Sequence, residues 1–103
     1  MIDAIEINIK NGIFSQMNAL IYFPEKVCYL NNRKYNVDDK FLDEIVNIIL
    51  YWDNEYGTGK GIDMEEFTII VYSNKKKTKY HGKGKYPDNY SRIKELLGEL
   101  NDR

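Results

Sequence analysis

Two hydrophobic periods that no single kind of backbone can satisfy sit side by side in this chain. Residues 2–10 alternate, with Ile5, Ile7 and Ile9 set against Glu6, Asn8 and Lys10. That period of two puts one face of a β-strand in a core and the other in water. Further on, Phe41, Leu42, Ile45, Val46, Ile49 and Trp52 recur every three or four residues, a stripe that only a helix lying on a core gathers on one side. A chain of 103 residues makes one domain, residues 1–103, and buries about two thirds of its unfolded surface. It has room for one core, so the strand and the helix must share it.

Punctuation between these segments supplies the rest of the fold. Residues 17–23 (MNALIYF) read as a second strand, ended by Pro24-Glu25, where the fixed φ of proline suits a tight turn. A return strand, Lys26 to Leu30, reaches Asn31-Asn32, residues that tolerate positive φ, and the chain comes back along Arg33 to Val37. Asp38 is the expected N-cap of the first helix, with Asp39 and Asp43 at its positive end and Val37 placed to staple onto Leu42. This helix is expected to run to Tyr51 or Trp52. Glycines 57, 59 and 61 then interrupt before Phe67 to Tyr72 (FTIIVY), whose unbroken apolarity predicts a central strand. After a turn at Ser73 to Lys76, Lys77 to His81 returns as a polar strand, with Thr78 and Tyr80 on one face and Lys77, Lys79 and His81 on the other. Pro87 fits the first turn of a last helix carrying Tyr90, Ile93, Leu97 and Leu100. The expected fold is α+β in the order β-β-β-β-α-β-β-α, an antiparallel or mixed sheet with two helices packed on one face.

Composition narrows function mainly by exclusion. Hydrophobic residues make up 43% and charged residues 30% of the chain, too apolar for a disordered tail. No apolar run approaches the roughly 20 residues of a membrane span, and the N-terminus lacks the pattern of a secretory signal, so a cytoplasmic protein is expected. One cysteine and one histidine exclude an intrachain disulfide framework and Cys/His zinc sites of ordinary spacing. Counts of 13 Ile, 12 Lys, 11 Asn and 9 Tyr point to an AT-rich bacterial or phage genome, so these residues are not read as functional enrichment. Charge is unevenly spread: residues 1–74 hold 6 Lys/Arg against 12 Asp/Glu, and residues 75–103 hold 9 against 4. Such a dipole steers encounters with charged partners, or simply draws the two regions together.

Tests for chemistry fail on residue type or spacing. Gly57-Thr58-Gly59-Lys60-Gly61 resembles a phosphate loop, but Asn54 stands where its first glycine belongs and Gly61 where its Ser/Thr belongs. It reads as a flexible connection. An EF-hand counted from Asp53 meets Thr58 in place of glycine and Met64 in place of glutamate, so Asp53, Glu55 and Asp63 read as a solvated acidic loop. Cys28, in a strand, reads as a small core hydrophobe. His81 is expected to be exposed, and nothing brings the two together for nucleophilic catalysis. The acid pairs Asp38-Asp39, Asp43-Glu44 and Glu65-Glu66 point apart, as neighbours on a helix or strand do. No catalytic set, metal site or cofactor is expected.

The most distinctive stretch is basic: Lys75, Lys76, Lys77, Lys79, Lys83 and Lys85 interleave with Tyr80 and Tyr86. Three readings stay open. The lysines could hold a protein partner, contact phosphates while the tyrosines stack on bases, or keep a solvated sheet edge from aggregating. The run from Gly82 through Tyr86-Pro87 to Asn89-Tyr90 fits Gly-x-x-x-Tyr-Pro-x-Asn-Tyr, and Trp52 and Tyr56 precede the FTIIVY strand. In these features residues 41–100 resemble small uncharacterised bacterial proteins. That resemblance implies a fold and no established activity. The expectation is a non-enzymatic macromolecule-binding or regulatory module of immunity or inhibitor type, monomeric or homodimeric, with the basic hairpin and the glycine loop as contact surface. Single-stranded nucleic-acid binding through the hairpin is the alternative.

Overall fold

A computed structural model describes residues 1–12, 15–58 and 64–102. Among them seven strands form one mixed sheet: β1 (Ile2–Asn11), β2 (Ser15–Tyr22), β3 (Val27–Leu30), β4 (Arg33–Asn36), β5 (Glu55–Thr58), β6 (Glu65–Ser73) and β7 (Lys76–Lys83). Their spatial order is β4-β3-β2-β1-β6-β7-β5, with every pair antiparallel except β5 and β7. Helices α1 (Asp39–Ile49) and α2 (Tyr90–Asn101) pack on one face, the α+β arrangement expected.

Local chemistry explains most of the turns. Lys26 N–H donates to the Phe23 carbonyl at 3.2 Å, closing the turn around Pro24. Asn31 and Asn32 take φ of 48° and 70°, and Asn74 and Lys75 take 51° and 68°, the pair of left-handed residues that a two-residue hairpin of matching twist demands. At the start of α1 the Asp38 carboxylate accepts from the Phe41 N–H at 2.9 Å, while Val37 and Leu42 are both buried, as the cap and staple predict.

Three expectations need correcting. The helix α1 stops at Ile49, and Trp52 N–H donates to the Ile49 carbonyl in a turn that swings the indole into the core. Pro87 lies ahead of α2, not in its first turn: its carbonyl accepts from Tyr90 N–H, and left-handed Asn89 (φ 64°) ends that turn before the helix begins. The FTIIVY strand is internal as expected, paired with β1 and β7; its Phe67 and Ile69 are buried, and Ile70 and Tyr72 face away from the helices half-exposed. Finally, part of the glycine connection is the strand β5, a seventh that the expected order lacks. Asn54 attaches it: its carbonyl accepts from His81 N–H and its side-chain amide donates to the Lys79 carbonyl, both at 2.9 Å. Gly59, Lys60, Gly61 and Asp63, named in the phosphate-loop and calcium tests, lie outside the described residues.

The core lies between the sheet and the helices. Ile5, Ile7, Ile21, Cys28, Phe67 and Ile69 meet Ile45, Ile93 and Leu97, all wholly buried. The α1 N-terminus sits by the β2–β3 turn, where Lys26 pairs with Asp39, and the chain following the helix places Trp52 against Tyr80 of β7. Running back, α2 begins with Tyr90 on Phe67 and ends where Asn101 accepts from the Tyr35 hydroxyl on β4. Arg92 ties the helices together through Glu44.

Candidate functional site

With both helices on one side, the other face of the sheet has no described element over it. Cross-strand register sets its composition. One row runs Lys34, Tyr29, Leu20, Glu6, Ile70, Lys79 from β4 to β7. The next runs Val27, Tyr22, Ala4, Tyr72, Lys77. Apolar and aromatic groups flank Glu6 in the first row and fill the middle of the second, and lysines hold the β7 end, because the alternation that sends Ile5, Ile7 and Phe67 inward sends these residues outward. Tyr22 and Tyr29 meet edge to face, centroids 6.0 Å apart. The Tyr72 hydroxyl donates to Glu6 Oε1 at 3.0 Å, which raises its pKa, and its ring carries Lys77 Nζ 5.5 Å from the centroid.

The basic residues singled out in the sequence do not all reach this face. Lys77, Lys79 and Lys83 do, on the outward side of β7, and Lys83 lies opposite Glu66. Lys75 and Lys76 are exposed at and beside the hairpin tip. Tyr80 points to the helix side, edge-on to Trp52 with centroids 6.2 Å apart. Lys85 lies beyond β7, its side chain against Gly57 of β5. Tyr86 stacks on Tyr90 at 4.9 Å and donates its hydroxyl to the Glu65 carbonyl. Both tyrosines of the segment are therefore engaged by the protein itself. Among the described residues, only the second half of β7 has a strand on its outer side: β5 pairs with His81, Gly82 and Lys83.

His81 departs most from expectation. Its side chain is largely shielded, with Nδ1 3.0 Å from Glu55 Oε2 and Nε2 2.6 Å from Glu66 Oε2. Acids adjacent in sequence do diverge, since Glu65 turns to Tyr90 and Lys94 while Glu66 turns to His81. Glu55 and Glu66 nevertheless converge across strands, a meeting that only the parallel β5–β7 register creates. An imidazole donates from both nitrogens only as the cation. The hydrogen bonds to Glu66 and then Glu55 accordingly raise the His81 pKa against the opposing effect of burial, and the His81 bond holds Glu66 below the usual carboxylate range. With both nitrogens occupied, the ring has none left to activate a nucleophile. Cys28 is on the opposite face and its thiol is pushed up to about 12 by burial, so the two groups stay apart. Among the described residues no three His, Cys, Asp or Glu side chains are grouped to hold a metal ion.

A pH dependence follows. Since the His81 pKa is higher folded than unfolded, its charge contributes stability fully below its ordinary value of 6.5, and that contribution is lost as pH rises through the folded value. Lys83 and Lys10 face Glu66 from β7 and β1, and their attraction adds to that of His81 in lowering the Glu66 pKa. Urea midpoints should fall as pH rises from the ordinary value of 6.5 through the higher folded value, by the equivalent of about 1 kcal/mol, a charged hydrogen bond discounted for partial exposure. His81→Gln should remove that slope, and parallel pH curves for the two proteins would refute the assignment.

Among the described residues no helix is long and apolar enough to cross a membrane. No protein-family model, no curated protein and no solved structure matches this chain.

Proposed function

We propose that this protein is a non-enzymatic binding or regulatory module, of immunity or inhibitor type and of bacterial or phage origin, that engages a protein partner in the cytoplasm. The uncovered sheet face is the contact surface, flanked by the lysines of β7 and the β6–β7 hairpin. One observation carries the reading: Leu20, Tyr22, Tyr29, Ile70 and Tyr72 stand together on a face that no described element covers. Tyrosine-rich apolar patches ringed by charge favour macromolecular contact. A protein is favoured over single-stranded nucleic acid for two reasons. The tyrosines interleaved with the lysines are already packed against Trp52 and Tyr90, and the middle of the face carries the Glu6 carboxylate, which repels phosphate.

The test is affinity capture from the native host with photo-crosslinkers placed in turn at Leu20 and, as a control on the helix side, at Lys40. The face position should trap one protein that the control does not. Leu20→Asp should weaken binding of that protein about 100-fold, by removing a central apolar contact. Replacing Lys75, Lys76 and Lys77 together with Glu should weaken it strongly at low salt and little at high salt. Unchanged affinity in both variants would refute the surface. Oligonucleotide binding that declines steeply with salt would establish the nucleic-acid alternative instead.

A further inference from the structure

Four described carboxylates are half-buried, and three of them have a cation. Glu44 pairs with Arg92, Glu65 with Lys94, and Glu66 with His81. The fourth, Glu6, has hydrogen bonds from Tyr72 and from the Asn8 amide at 3.2 Å but no ion pair within the described residues. Lys79, in the same cross-strand row, is two strands away, roughly 10 Å at the usual strand spacing. A carboxylate accepts about four hydrogen bonds, so Glu6 retains both acceptor capacity and its charge.

What surrounds it has the chemistry of a cation site. Glu6 lines a concavity of about 510 Å³ on the uncovered face, with Asn8, Asn18 and Asn32 as amide walls and Tyr22 and Tyr29 as aromatic ones. Aromatic faces attract a cation through their quadrupole, and a carboxylate binds a guanidinium through paired charge-assisted hydrogen bonds. The concavity opens on the uncovered sheet face, and its volume of about 510 Å³ exceeds that of one long side chain. We infer that this pocket receives the arginine or lysine side chain of a segment of the protein partner, which deepens the reading of the face given above and rests on it.

The test titrates small probes into the isotopically labelled protein of residues 1–103 and follows backbone amides by NMR. Nα-acetyl-arginine amide is compared with its neutral counterpart, Nα-acetyl-citrulline amide. The arginine probe should shift the amides of Glu6, Asn18, Leu20 and Tyr29 saturably and bind about tenfold or more tightly than citrulline. Glu6→Gln keeps the shape and the acceptor for Tyr72, and should lower arginine binding about tenfold. Tyr29→Leu keeps the charge and should lower it about threefold. Amides remote from the pocket report whether each variant remains folded. A capped pentapeptide with central arginine should bind more tightly than the capped amino acid. Equal binding of citrulline, shifts elsewhere, or indifference to Glu6→Gln would overturn the pocket. Tighter binding of spermidine than of the peptide would overturn the protein segment in favour of a small amine. Self-association abolished by Glu6→Gln would overturn it in favour of a second copy of this chain. These probes need no partner, so their failure leaves the crosslinking experiment standing, and failure of the crosslinking leaves the titration interpretable.

Discussion

Replacing Phe67 with alanine is expected to cost about 3–5 kcal/mol, the upper range for emptying a core position of its aromatic ring. Phe67 is fully buried on the helix side of β6, and its ring is where the sheet, the segment after α1 and the start of α2 meet. Trp52 lies edge-on at 5.7 Å, Tyr90 at 4.8 Å, and Tyr56 and Tyr86 at 6.5 and 6.3 Å. Removing it leaves a cavity lined by rings that are themselves anchored, Trp52 by its indole N–H on the Asp88 carbonyl and Tyr90 by its hydroxyl on Glu65. Such walls cannot collapse far, so most of the cavity penalty remains. Against a total stability of about 5–15 kcal/mol for an ordinary domain, the variant should show a large fall in urea midpoint with little change in slope. Tyr86→Ala, at a ring that is 40% exposed, should cost much less. Equal losses at the two positions would contradict the hub assigned to Phe67.

Gly82→Ala should be nearly as damaging, for a different reason. Gly82 lies in β7 opposite Phe67, in the stretch that also pairs with β5. A Cβ there would stand 2.5 Å from Phe67 Cε1, 2.7 Å from the Tyr56 carbonyl oxygen and 2.8 Å from the Lys85 carbonyl oxygen. The ring can tilt, but the two oxygens belong to main chain, and moving them peels β5 from the sheet or displaces the lead-in to α2. A cost of about 2–4 kcal/mol is expected from overpacking. The double variant Phe67→Leu with Gly82→Ala should recover only the part due to the ring. Gly98 of α2 supplies the contrast, since a Cβ there meets nothing within 4 Å and Gly98→Ala should stabilise by about 0.5–1 kcal/mol. Thermal denaturation of the three variants checks this order, and a Gly82→Ala protein as stable as the parent would refute the close packing.

How much of this could be read in the sequence depended on whether the deciding interaction was local. Alternation in β1, the stripe of α1 and the Asp38 cap are written within a few neighbouring residues, and each lies where those residues indicate except that Trp52 follows the end of α1 at Ile49. The strand β5 is not so written: four residues containing Gly57 acquire strand geometry only because β7 lies beside them, in a parallel pairing set by Asn54. The convergence of Glu55 and Glu66 on His81 was hidden for the same cause. Adjacency in sequence correctly separated Glu65 from Glu66 but says nothing of which acids meet across strands. The pocket at Glu6 was hidden too, although alternation in β1 put Glu6 on the polar side of its strand; the apolar runs holding Leu20 and Ile70 gave no sign of which face those residues take. What alternation lacks is the register that aligns them in one row with Tyr29, and knowledge that both helices leave that row bare.

The position of β1 also governs the order in which the molecule can assemble. It occupies the middle of the sheet, and its seam with β6 joins Asn11 to Glu65 and Ile2 to Ser73, whereas the β2–β3, β3–β4 and β6–β7 hairpins close over short turns. Local pairs lose little chain entropy and zip early, while a seam spanning half the polypeptide waits for everything between its ends. During synthesis the first four strands therefore emerge with one flank of β1 bare, and it stays so until β6 leaves the ribosome to cover it.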